Sequence, residues 1–89
     1  MASHADCFQV WYGSLPRGID ELQAMEELVR NGTPRPQKII IRSSPDGRQF
    51  GVAYFKRHAD SVVALHGNVT WSSGEVARIR IVRQTAQCH

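Results

Sequence analysis

Residues 38–55 constrain this chain more than any other stretch. Lys38-Ile39-Ile40-Ile41-Arg42 is a β-branched run, and Arg48-Gln49-Phe50-Gly51-Val52-Ala53-Tyr54-Phe55 alternates around large apolar side chains. Between them stands Ser44-Pro45-Asp46-Gly47, whose residue types suit a tight turn. Two strands joined in this way form a hairpin, and the turn sets the register. With Ser44 opposite Arg48, Arg42 faces Phe50, Ile40 faces Val52 and Lys38 faces Tyr54. Side chains alternate with period two, so these residues share one face, while Gly51, Ala53 and Phe55 point to the other. Both faces of the second strand thus carry aromatic rings. An 89-residue chain has enough material for one two-layer core. One of the two faces is therefore expected to stay open.

The flanking sequence supplies the remaining elements. Phe8-Gln9-Val10-Trp11-Tyr12 reads as a first strand ending at a Gly13-Ser14-Leu15-Pro16 turn. Asp20 opens a helix as its N-cap, with Gln23 at the reciprocal capping-box position. Leu22, Met25, Leu28 and Val29 form its expected core stripe. Asn31-Gly32 stops this helix, and Pro34 and Pro36 prevent its continuation. A second helix is expected over residues 59–65, with Ala59, Val62, Val63 and Leu65 able to face the core and Gly67 ending it. Residues 69–76 read as a small hairpin or turn in which Trp71 packs. Residues 77–83 read as a last strand with Ile79 and Ile81 inward and Arg78 and Arg80 outward.

The order β-α-β-β-α-β predicts an α+β, ferredoxin-like sandwich: a four-stranded antiparallel sheet of order 4-1-3-2 with two helices on one face. The expected domain spans residues 7–84, with tails at 1–6 and 85–89. Topology alone does not determine function. On the open face the first strand contributes Gln9 and Trp11, the hairpin Phe50, Val52, Tyr54 and Ile40, and the last strand Arg78 and Arg80, with Lys38 and Arg42 at the border.

Charge and chemistry narrow the function. The chain has 11 Lys and Arg against 8 Asp and Glu, and nine of the cations are Arg. The planar guanidinium suits phosphate and stacks on rings. The acidic residues Asp20, Glu21, Glu26 and Glu27 crowd into the first helix, a solvated face or a docking surface. No apolar run reaches membrane-spanning length, and no secretory signal pattern opens the chain, so a membrane is not expected and an intracellular location is the default, nucleus or cytoplasm first. Cys7 and Cys88 lack a C-x-x-C context, and the four His have no ligand spacing, so no metal or other cofactor is expected. The two cysteines approach the same end of the sheet; a disulfide is geometrically allowed, but a reducing interior favours free thiols. No catalytic triad, phosphate-cradling loop or converging carboxylate pair stands out, so the expectation is a non-enzyme.

Residues 48–55 resemble the octamer of the RNA-recognition motif (RRM) family, K/R-G-F/Y-G/A-F-V-x-F/Y. Arg48, Phe50, Gly51, Ala53 and Phe55 match or nearly match, while Gln49 and Val52 depart from the pattern. Val10-Trp11-Tyr12-Gly13-Ser14-Leu15 is similar to the family's first-strand hexamer, with Trp11 at its base-stacking position. The resemblance covers residues 7 to 84. It implies a module for single-stranded RNA, with bases stacking on Trp11 and Phe50. Val52 and Tyr54 complete the platform, Gln9 reads base edges, and Lys38, Arg42, Arg48, Arg78 and Arg80 supply cationic contacts. A footprint of about two to four nucleotides is expected. Proteins of a ribonucleoprotein complex are further candidate partners. The alternative is a protein-interaction module using the helical face or the aliphatic Val52/Ile40 patch.

Overall fold

A computed structural model describes residues 8–84 of the chain. The elements are β1 (Phe8–Leu15), α1 (Glu21–Arg30), β2 (Lys38–Ser43), β3 (Gln49–Phe55), α2 (His58–His66) and β4 (Ile79–Gln84). They form one antiparallel sheet of order β2-β3-β1-β4, the expected topology read from the other edge. The hairpin register is the expected one: Lys38 opposes Tyr54, Ile40 opposes Val52 and Arg42 opposes Phe50. The turn that sets it is closed by the Ser44 N–H donating to the Arg48 carbonyl at 2.7 Å. Gly47 adopts φ +85° there, a conformation open to a residue without Cβ. Cys7, Cys88 and both tails lie outside the described residues.

The core lies between the sheet and the helices. The inner sheet face contributes Phe8, Val10, Tyr12, Leu15, Ile39, Ala53 and Phe55, against Ala24 and Leu28 of α1 and Ala64 of α2. Gly51 belongs to this inner face for a packing reason. A Cβ there would lie 3.0 Å from Ile39 Cδ1 and 3.3 Å from Leu15 Cδ2. Burial pushes the Tyr12 phenol well above its ordinary pKa.

The helices differ from expectation in which residues they bury. In α1 the Asp20 carboxylate accepts from the Gln23 N–H at 2.8 Å, as a cap should. The reciprocal half of the capping box is absent, because the Gln23 amide instead donates to Glu27 at 3.5 Å. Leu22 and Val29 of the expected stripe are exposed, whereas Ala24 and Glu27 join Leu28 in the interior. The small Ala24 allows close approach to the sheet. Glu27 tolerates burial because the Ser72 N–H (2.7 Å) and hydroxyl (3.0 Å) donate to its carboxylate. Thus Glu27 is a tie to the segment before β4, not part of a solvated acidic face.

Helix α2 starts one residue before and ends one after the expected span, and it buries Ser61 and Ala64. The Ser61 hydroxyl donates to the His58 carbonyl at 2.7 Å, which accommodates its burial. Ala59 and Val63, expected inside, are exposed. The last strand begins at Ile79, two residues later than expected. Ile81 pairs with Val10 on the inner side but stays half-exposed, because β4 is an edge strand with no neighbour beyond it. No helix among the described residues is long and apolar enough to cross a membrane.

Candidate nucleic-acid interface

The outer sheet face is built by the same alternation that fills the core. Between the inward residues Val10 and Tyr12, Trp11 must point outward, and it lies opposite Val52 on one side and Arg80 on the other. Gln9 opposes Tyr54. Phe50, Val52 and Tyr54 alternate with the buried Gly51, Ala53 and Phe55. Gln9, Trp11, Phe50, Val52, Tyr54 and Ile40 are all half-buried, and Lys38, Arg42, Arg48, Arg78 and Arg80 are exposed around them. All ten residues singled out from the sequence, and Ile40, fall on this face or at its rim.

Their side chains sort into two groups. At one end the Trp11 and Phe50 rings lie 6.0 Å apart between centroids at 30°, and the Arg80 guanidinium lies 5.6 Å from the Trp11 centroid. At the other end the Lys38 ammonium stands 4.5 Å from the Tyr54 ring centroid. Both cations lie within the range where a ring face attracts positive charge. Val52 and Ile40 separate the two groups with an aliphatic strip. The structure therefore pairs Tyr54 with Lys38 and not with the Trp11/Phe50 cluster.

At residues 13 and 14 the platform departs from the expected turn. Gly13 and Ser14 do not form a turn: β1 continues to Leu15 through a bulge, in which both residues fit against the single residue Phe50. Ser14 carries the positive φ of +59° that this demands. Gly13 leaves the space that the indole occupies. A Cβ at residue 13 would come within 2.6 Å of Trp11 Cη2 and 2.8 Å of Cζ3. The Trp11 ring consequently extends along the sheet over Gly13.

The bulge is held from both sides. The Gly13 N–H donates to the Arg78 carbonyl at 2.8 Å, and its carbonyl accepts from the Trp71 indole at 3.0 Å. Trp71 is buried and meets Tyr12 edge-on, at 6.2 Å and 72°. It packs as expected, and it also fixes the floor beneath Trp11. A glycine following an aromatic in a strand-like run was the available signal for the bulge.

Arg48 is held at the hairpin tip. Its guanidinium Nε lies 3.5 Å from Asp46, with both side chains largely exposed, so the pair orients more than it stabilises. The Ser44 hydroxyl donates to the Asp46 carboxylate, which also accepts from the Arg48 N–H at 3.2 Å. The bond from Ser44, then that from Arg48, holds the Asp46 carboxyl below its usual pKa. Taken together, the face offers flat rings, an aliphatic strip and exposed cations. Compared with models of known protein families and with curated protein sequences, the chain finds no match.

Proposed function

We propose that the open sheet face is a non-catalytic platform for single-stranded RNA. The observation that carries this reading is the Trp11–Phe50 pair, two rings 6.0 Å apart on a sheet face that no described helix covers, flanked by Arg80. Bases present flat π-faces to such rings, at about 1–3 kcal/mol per stacked base. Arg42, Arg48, Arg78, Arg80 and Lys38 border the rings and would neutralise phosphates, making affinity fall with salt. Val52 replaces an aromatic of the resembled octamer, which limits stacking to the Trp11/Phe50 end and suits a short footprint. Such a module fits a role in RNA processing as one part of a ribonucleoprotein assembly, in the nucleus or cytoplasm.

A second reading, docking of a protein on the helical side, is favoured by one observation. Leu22 and Val29 lie 56% and 43% exposed on α1. They share its outer face with Glu26.

An amide NMR titration with a short mixed-sequence single-stranded RNA, at two salt concentrations, separates the readings. The RNA reading expects shifts at Trp11, Phe50, Val52 and Arg80 that shrink as salt rises. A sheet unmoved at millimolar RNA rejects it and turns attention to α1.

A further inference from the structure

Residues 71–74 form a tight turn ahead of β4, closed by the Gly74 N–H donating to the Trp71 carbonyl at 2.8 Å. Ser72 and Ser73 occupy its two central positions and are exposed. Their neighbourhoods differ. Ser73 lines an open cleft of about 700 Å³ that Arg17 and Arg48 also line. The Ser72 hydroxyl instead donates to the carboxylate of Glu27, a residue only 2% exposed. Glu27 is held there by that hydroxyl at 3.0 Å, the Ser72 N–H at 2.7 Å and the Gln23 amide at 3.5 Å. Among the described residues no Lys or Arg pairs with it. A buried carboxylate compensated by neutral donors alone is sensitive to any further negative charge. The same segment reaches the platform. Asn31 donates its side-chain amide to the Thr70 carbonyl at 3.2 Å and accepts from the Thr70 N–H at 3.1 Å. Trp71, between these two ties, donates its indole N–H to the Gly13 carbonyl at 3.0 Å, beneath the Trp11 ring.

We infer that Ser72 is a phosphorylation site, and that a phosphate there releases the turn from α1 and unseats the support of Trp11. A protein kinase would move the γ-phosphoryl group of ATP onto Ser72 Oγ. The bond from the γ-phosphorus to the bridging oxygen breaks, the Oγ–P bond forms, ADP leaves and the hydroxyl proton is released. Rotation about χ1 presents the hydroxyl at the exposed turn without breaking the N–H bond to Glu27. Glu75, exposed three residues on, gives an acid-directed kinase an anionic mark to read. Modification converts the donor of the Glu27 bond into a group carrying about −1.5 to −2 charges. Phosphate and carboxylate then repel at close range, and the burial of Glu27 limits screening by salt. Movement of the turn relieves this repulsion, because Glu27 is fixed within α1. Trp71 lies inside the displaced segment, so its bond to Gly13 loosens and the Trp11 ring loses its floor. The same charge on Ser73 faces the cleft of Arg17 and Arg48 and leaves the tie intact. The effect on RNA rests on the platform reading; the release of the turn does not.

The test treats the whole chain with ATP and an acid-directed serine kinase, maps the product by mass spectrometry and follows it by amide and indole NMR. Phosphate should map to Ser72, and the signals of Thr70, the Trp71 indole and Gly13 should move. The melting temperature should fall by roughly 5–15 °C. Ser72→Glu should reproduce part of the change, and Ser73→Glu should leave the Trp71 and Gly13 signals in place. In Glu27→Gln, which keeps the shape and removes the charge, the phosphate should lower the melting temperature far less. Affinity for the short single-stranded RNA should drop about threefold to tenfold on phosphorylation. No phosphate at Ser72 overturns the site. Shifts confined to residues 72–75, or an effect equally large in Glu27→Gln, overturn the release. RNA bound equally by both forms, with Gly13 moved, overturns the link to Trp11. If neither form binds RNA while Trp71 and Gly13 move, the platform reading fails and the switch stands.

Discussion

Phe50 and Phe55 belong to the same strand, five residues apart, and have opposite fates. Phe55 is fully buried under the helices, in one core cluster with Ala53. Phe50 is half-buried on the other face, and its aromatic neighbour is Trp11. Alternation alone decides which ring builds the core and which is offered to a ligand. The two faces also differ in their small residues. Gly51 leaves space for Ile39 and Leu15 in the core, whereas Gly13 leaves space for the Trp11 ring on the surface. The same residue type thus serves packing on one face and presentation on the other.

The largest expected effect tests this division directly. Phe55→Ala should cost about 3–5 kcal/mol of stability, as large-to-small changes in cores do. Phe50→Ala should cost about 1 kcal/mol, the worth of an exposed ring pair and partial burial. Urea unfolding followed by circular dichroism measures both. For RNA the order reverses: folded Phe50→Ala, like Trp11→Ala, should lose about 1–3 kcal/mol of affinity. If Phe50→Ala unfolds the chain as Phe55→Ala does, the outer face is core and the platform is wrong.

The contrast between the faces was readable in advance because it follows from turn chemistry and period two. Ser44-Pro45-Asp46-Gly47 pinned the hairpin, and the hairpin then placed Phe50, Val52 and Tyr54 together with Lys38, Ile40 and Arg42. Trp11 followed from Val10 and Tyr12. The helices were less legible. Hydrophobicity chose Leu22 and Val29 of α1 for the core, but packing chose Ala24 for its size, and Glu27 found its donors on Ser72, 45 residues away. No local pattern announces a partner that distant. The bulge escaped for a different reason: Gly13-Ser14 satisfies both a turn and a bulge, and only the sheet register distinguishes them.

A smaller effect sharpens the comparison of the two glycines. Gly13→Ala puts a methyl group where Trp11 Cη2 and Cζ3 now lie, and these are the far atoms of a side chain that can swing outward. The fold should therefore hold, with a melting temperature within a few degrees of the parent. RNA affinity should drop by about threefold to tenfold, because the ring loses its position along the sheet. Tryptophan fluorescence should report the displacement, since Trp71 is buried and bonded to the residue 13 carbonyl, which the substitution keeps. A variant with unchanged affinity would show that the orientation of Trp11 over Gly13 has no part in binding.

The smallest effect concerns Arg80, where two contributions oppose each other. In the free chain its guanidinium lies 5.6 Å from the Trp11 centroid, a contact worth roughly 0.5–1 kcal/mol at an exposed site. A base that stacks on Trp11 must share this ring with Arg80 or displace it. Arg80→Ala removes that competition and one phosphate contact at the same time. The net loss of affinity at moderate salt should consequently be smaller than for Trp11→Ala, about twofold to fivefold. The salt dependence separates the two contributions. If Arg80 moves onto a phosphate, the variant's plot of log affinity against log salt should be shallower by about 0.7, the value for a single strand. An unchanged slope with raised affinity would make Arg80 a cover for the ring, and the phosphate contacts would then fall to Arg42, Arg48 and Arg78.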